Sequence, residues 1–413
     1  MNTIKINLSK PYFWVLAFIS FFLPLVFGTV TNELYEFPKM YFIYFLGGAL
    51  VTAFIIEKII QEGVLPKVPG YIKLYILSYV VSSLFSTHQY TSFWGYYTRF
   101  NDCLMSTLVF FGVYVVAKSK LTAEEFNKIF KIMLFSIVPV SIMGVFQHGE
   151  MVRVYSTFGQ PNWLAQFLAV LLPFANYLFF AGTMPWLWFF ISVLGFASLW
   201  FTYSLSGLLG YGIGFCVLLY LFSPIRRNLY KLLTLALVCM LIAVTNLGVF
   251  RLRIQDIFSD VQNIISIVPK VYAADSTQRN LSDPGFIRGG LWFGTTKLIF
   301  SSPKVALIGT GPETFPYSFQ KFRPRELNYS SEWNFVFNKP HNYFLEVASE
   351  QGLLGLGIYF YLYWKLLRNL DKKYLACFVA FAVSNVFGWP TVVTTFIFWM
   401  YLASIEAKYE KSN

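Results

Sequence analysis

Apolar residues along this chain are gathered into runs long enough to cross a bilayer. They lie near 11–30, 40–57, 71–87, 103–117, 128–147, 163–181, 185–203, 207–223, 229–250, 343–366, 373–389 and 390–406. A helix needs about 20 such residues to span the hydrocarbon, and in lipid only helices and closed barrels satisfy every backbone polar group. The pattern predicts an all-α, polytopic membrane protein with about 12 transmembrane helices. The polar stretches between runs are short, except at 251–342. Long structureless loops are uncommon unless functional. This segment holds aromatics, several Arg and Lys, and the amphipathic stretch "GFIRGGLWFGTTKLIFSS" at 285–302. It predicts a structured loop with short interfacial helices over a cavity. The chain thus divides into helices one to nine (1–250), the large loop (251–342), and helices ten to twelve with a tail (343–413).

Composition agrees with this division. Hydrophobic residues make up 56% and charged residues 13%, about half the share of a soluble domain. The net charge of +12 is spread between runs and not gathered on one soluble face, which excludes nucleic acid as a partner. Much of it follows from orientation. One set of short loops holds Lys58, Lys67 and Lys73, then Lys118, Lys120, Lys128 and Lys131, then Arg226, Arg227 and Lys231, and later Lys365, Arg368, Lys372 and Lys373. The opposite short loops hold only Lys39, Arg99 and Arg153. The positive-inside rule then places both termini in the cytoplasm and residues 251–342 outside. The first run lacks a small-residue cleavage site, so no cleavable signal is expected. Cys103, Cys216, Cys239 and Cys377 sit in apolar runs without CxxC spacing and read as small core residues.

The outer side carries the candidate chemistry. His341 stands where the long loop meets the run at 343–366. If that run is one helix, Ala348, Gly352 and Gly355 share its face, a small-residue seam for close packing. Asn342 beside it is a helix cap. His341 reads either as a capping, interfacial residue or as a general base, for which a near-neutral pKa is suited. Glu350 falls inside the same run, on roughly the opposite face, and reads either as a structural partner of a neighbouring helix or as a functional intramembrane carboxylate facing protein or water. Arg99, Arg153 and Arg288, with Arg251, Arg253, Arg279, Arg323 and Arg325, offer guanidinium forks suited to phosphate oxygens or, alternatively, interfacial anchoring. "ALIGTGPETF" at 306–315 lacks the ending of a phosphate loop and reads as a tight turn. The outer acids, among them Asp102, Glu313 and Glu332, are scattered, with no metal-binding spacing.

Three segments together resemble the O-antigen ligase and O-antigen polymerase superfamily of bacterial membrane glycosyltransferases. "STFGQPNWLAQFLA" (156–169) is similar to its Gly-x-Pro-Asn-x-Leu-Ala signature. "RGGLWFGTTKLIFSSPKVALIGTGPETF" (288–315) resembles its Arg, Trp and Gly-x-Gly-Pro region. "HNYFLEVASEQGLLG" (341–355) is similar to its His-Asn and Glu-x-Gly signature. The resemblance implies a GT-C-like fold in the cytoplasmic (inner) membrane with its active site on the outer face. It implies a glycan donor on undecaprenyl diphosphate and a lipid or saccharide acceptor, lipid A-core or growing glycan, in contact with membrane lipid. It implies no metal and no other cofactor. It also implies catalytic roles for His341 and Arg288 and a substrate-binding role for Arg99. Arg153, Asn342 and Trp292 join them as substrate-binding candidates. Where many members have Ser-Arg-Gly, this chain reads "TYSLSGLLG" (202–210) and lacks the arginine; Arg153 is the candidate replacement. Ligase, polymerase and protein O-oligosaccharyltransferase share this chemistry and differ only in acceptor. A lipid-linked sugar transporter is the reading from another class, but the inverted repeats usual in such folds are not evident.

Overall fold

The computed structural model describes residues 9–61, 63–97, 100–222, 228–247 and 284–409. Arg99 and residues 251–283, with Arg251, Arg253 and Arg279, lie outside the described residues. The described chain is all helix, with no strand among those residues. Every run expected to span contains a helix. In order these are α1 (Ser9–Phe22), α2 (Glu36–Ile60), α3 (Gly70–Leu84), the short α4 (Gln89–Trp94), α5 (Leu104–Lys120), α6 (Ala123–His148), α7 (Pro161–Ala181), α8 (Pro185–Phe201), α9 (Leu205–Leu221) and α10 (Leu229–Thr245). After the loop's α11 (Pro284–Ile299), α12 (Pro303–Ile308) and α13 (Phe315–Ser318) come α14 (Tyr343–Glu350), α15 (Gly352–Asn369), α16 (Lys372–Val386) and α17 (Val392–Tyr409). By length and composition α2, α6 and α7 can cross a membrane, and six more apolar helices are shorter.

Helix α7 is the axle of the bundle. Gln160 caps it, Pro161 opens it where a missing N–H is harmless, and it is buried along nearly its whole length against α8, α9 and α16. A helix apolar on every side belongs inside a bundle or a bilayer. Glycines let its neighbours in. A Cβ on Gly207 of α9 would lie 2.4 Å from Ala165 Cβ of α7, and one on Gly214 would lie 2.8 Å from the Ala376 carbonyl of α16. On the outward surface large apolar side chains stay exposed, for example Phe45 and Ile60 of α2, as lipid contact requires.

The structure corrects the reading of 343–366. That run is two helices. The short α14 ends at Glu350, Gln351 breaks the chain, and α15 begins at Gly352, which has φ of +73°. Glu350 is therefore at a helix end and not in a helix interior, and the shared face drawn through His341, Gly352 and Gly355 does not exist. The first run is also shorter than expected. It is helical to Phe22, with one 3-10 turn through Leu25.

The described part of the long loop has its own core. Ile287, Leu291, Leu298, Val305, Phe315, Phe319, Leu327 and Phe337 form an apolar cluster apart from that of the bundle. Helix α11, the amphipathic stretch seen in the sequence, lies against α14. The loop is thus a folded cap, fixed to the bundle beside His341.

Candidate active site

His341 sits between the cap and α14 with φ of +56°, a left-handed conformation uncommon for any residue but glycine. Asn342 accepts a hydrogen bond from the Leu345 N–H at 3.1 Å and caps α14. The capping role assigned to Asn342 therefore holds, and it frees His341 from that duty. The imidazole stands edge-on to Trp389, 5.0 Å between ring centres. Both line a small, partly open pocket.

The other walls come from distant parts of the chain. Gln160, Asn162, Trp163 and Gln166 line it from the first turns of α7, Ser206 from α9, and Ser384 and Phe387 from α16 and its end. Two of the three sequence signatures thus meet at His341. The lining is rich in amides, hydroxyls and indoles. Amides and hydroxyls hydrogen-bond sugar hydroxyls, and an indole face packs on a pyranose ring.

Each wall is held by polar contacts. Arg153 donates from Nε to the Thr202 carbonyl at 2.8 Å and from Nη2 to Asn162 Oδ1 at 3.1 Å, so it sets the amide that faces the pocket. Gln166 donates to Asn385 Oδ1 at 2.7 Å and accepts from Thr394 Oγ1 at 3.1 Å. Lys39 is fully buried and donates to the Thr157 carbonyl at 2.7 Å, just before the α7 cap. Glu36 accepts from the Val392 N–H at 2.8 Å, just after Trp389. Sequence reading took Lys39 for a loop charge and left Glu36 unremarked. A lysine three residues after a glutamate at the start of an apolar run was the available signal.

Arg288 is half-buried on α11. Burial raises the carboxyl of Glu332, and the charge of Arg288 nearby partly offsets this. One turn on, Trp292 stacks obliquely on Phe387 at 6.5 Å, and Phe387 lines the His341 pocket. Its Nε1 is buried with no hydrogen-bond partner. The helix carrying Arg288 thus leans on the pocket wall through Trp292.

The scattered acids converge. Lys339, 1% exposed, lies 3.3 Å from Asp102 Oδ2 and 3.8 Å from Glu313 Oε1, and pairs closely with Glu346. Glu313 accepts from the N–H groups of Asp102 at 3.0 Å and Tyr96 at 3.3 Å. Burial raises the Glu313 carboxyl, Lys339 opposes this, and Asp102 adds to it. Glu350 accepts from the N–H groups of Glu313 at 2.8 Å and Phe315 at 3.1 Å. Its carboxylate thus holds the loop turn, where the structural reading placed its partner on a neighbouring helix. The turn and the helix break fit tightly. A Cβ on Gly309 would lie 2.2 Å from the Glu350 carbonyl oxygen, and one on Gly352 would lie 2.2 Å from that of Leu307. No group of three or more His, Cys, Asp or Glu among the described residues is arranged to hold a metal ion.

No curated protein matches this chain. A family model described as O-antigen ligase matches residues 190–360, a stretch that holds Ser206, Arg288, Trp292 and His341. Over that stretch this apolar helical protein is similar to the O-antigen ligase family.

Proposed function

We propose that the protein transfers a saccharide from undecaprenyl diphosphate to an acceptor hydroxyl at the outer face of the cytoplasmic membrane. The observation that carries this reading is the His341 pocket, in which an imidazole, amides and indoles converge beside the helix that bears Arg288. The acceptor oxygen attacks the anomeric carbon while the bond from that carbon to the diphosphate oxygen breaks. The electron pair leaves with the diphosphate, and the acceptor proton passes to His341. Attack opposite the leaving group inverts the anomeric carbon. Arg288, with Arg99 or Arg153, offsets charge growing on the diphosphate; charge offset of this kind needs no metal ion. The sugar rests at the mouth of the pocket, where Asn342 and Trp292 bind it, and the polyprenyl tail lies between helices in the bilayer. The acceptor is lipid A-core in a ligase and a growing glycan in a polymerase.

The test is transfer by purified protein from a defined lipid-linked donor. His341→Ala should lose roughly 10²–10⁴-fold in rate, the usual contribution of a positioned acid or base. Arg288→Ala should lose about 10²–10³-fold, as for removal of one charge-stabilising donor. A folded His341→Ala protein with full activity refutes the base. Movement of lipid-linked sugar without a new glycosidic bond refutes the transferase.

A further inference from the structure

We propose that Lys339, Asp102 and Tyr343 act together as a positioning bracket for His341. The proposal rests on the reading of His341 as the base. It starts from backbone strain. A non-glycine residue at φ of +56° persists only where its surroundings over-determine it. Two residues to either side supply that constraint, and both converge on one side chain. Lys339 donates to Asp102 Oδ2 at 3.3 Å, and Tyr343 donates its hydroxyl to Asp102 Oδ1 at 3.0 Å. All three side chains are buried.

Asp102 is itself pinned. Its N–H donates to Glu313, whose other oxygen accepts from Tyr96. Glu313 is in turn held by its N–H to Glu350. His341 is thus strung between two anchors on one carboxylate, and that carboxylate is fixed to the turn at 309–315. Neither Lys339 nor Asp102 lines the His341 pocket, so neither touches substrate there. Their effect on transfer runs through the His341 backbone. Lys339 faces Asp102, Glu313 and Glu346, and one oxygen of Glu346 is buried without a partner. The cluster therefore carries more carboxylates than one ammonium neutralises, which makes the lysine hard to replace.

The chain has three histidines, so ring-labelled histidine gives a spectrum with few signals. His88 and His148 serve as internal controls. In Tyr343→Phe, the mildest break of the bracket, and in Asp102→Asn, the His341 ring signal should shift or broaden while the other two stay in place. Turnover of the undecaprenyl-diphosphate-linked donor should fall roughly 10–100-fold in kcat, as a misplaced catalytic group predicts, with donor KM within about twofold. In a His341→Ala background the same changes should add no further loss. Lys339→Met should behave alike; if it does not fold, Tyr343→Phe and Asp102→Asn decide. Unchanged His341 signals in these variants, or losses that multiply with His341→Ala, overturn the bracket. The base reading is judged separately, by His341→Ala alone.

Discussion

Glu350 allows the hydrogen bonds of the turn to be separated from the charge of the cluster. Its carboxylate accepts from the buried N–H groups of Glu313 and Phe315 at 2.8 and 3.1 Å. Glu350→Ala leaves both donors without an acceptor, at about 1–3 kcal/mol each, so about 2–6 kcal/mol together. It also removes one carboxylate from a cluster with a single ammonium, which relieves repulsion. Glu350→Gln removes the same charge but keeps one carbonyl acceptor. Subtracting the two variants cancels the charge, and the remainder is at most one buried N–H, about 1–3 kcal/mol, because the amide NH2 that faces the other donor offers it no acceptor. The assay is thermal unfolding of purified protein in detergent. At about 2 °C per kcal/mol, the low end for smaller domains, the alanine variant should melt roughly 2–6 °C below the glutamine variant. Both should melt below the wild type. Equal midpoints for the two variants would refute the hydrogen-bond account. An alanine midpoint above the wild type would show that relief of charge outweighs the turn.

Other consequences are open to the same assay. Gly352→Ala places a Cβ 2.2 Å from the Leu307 carbonyl oxygen at φ of +73°; the left-handed conformation alone costs about 1–2 kcal/mol, so its midpoint should drop. Gly357→Ala on the same helix has nothing within 4 Å and should match or exceed the wild type. Lys39→Met strips a donor from the Thr157 and Tyr35 carbonyls and should cost about 1–3 kcal/mol for each carbonyl left unsatisfied, with transfer activity falling as the α7 cap loosens. Burial pulls the Lys339 ammonium down, but Glu346, Glu313, Asp102 and Glu350 hold it well above the ordinary value of 10.5. Its folded pKa exceeds its unfolded one, so its stabilisation is whole below about pH 10.5 and is lost as pH rises through the folded value. Wild-type midpoints should fall more steeply above pH 10.5 than those of Lys339→Met; parallel curves would deny the ion cluster.

The helices were legible because a membrane span is a matter of composition, and each apolar run proved to hold a helix. The break at Gln351 was not read, although Ser349, Glu350 and Gln351 interrupt the apolar run there. Those polar residues read equally well as buried partners of a neighbouring helix, and Gly352 as helix packing. Two of the three signature segments, 156–169 and 341–355, line one pocket, and Asn342 was read correctly as a cap. What could not be read was their pairing. Asp102 and Lys339 are separated by 237 positions and Glu36 and Val392 by 356, and only the folded bundle brings such partners together. Composition marks an acid near a membrane as costly without saying which lysine or N–H compensates it.

Backbone strain locates the site independently of any family resemblance. Among the described residues the non-glycine positions with positive φ are Phe100, Ser156, Met184, Tyr203, Glu313 and His341. Met184 only turns the chain from α7 into α8. Each of the others lies in or next to a segment that builds the His341 pocket or its bracket. Ser156 precedes the α7 cap, with its N–H on Gln147 and its hydroxyl on the Val140 carbonyl. Tyr203 follows Thr202, whose carbonyl Arg153 holds. Phe100 stands two residues before Asp102, and Glu313 is the carboxylate that fixes it. Each such residue costs on the order of 1–3 kcal/mol, and such outliers cluster where geometry serves function. A bundle that needed only stability would relax these turns to glycine. Their convergence on one imidazole argues that selection acts on the shape of that pocket, and it is the reason to test the strained residues and their anchors before the exposed aromatics of the cap.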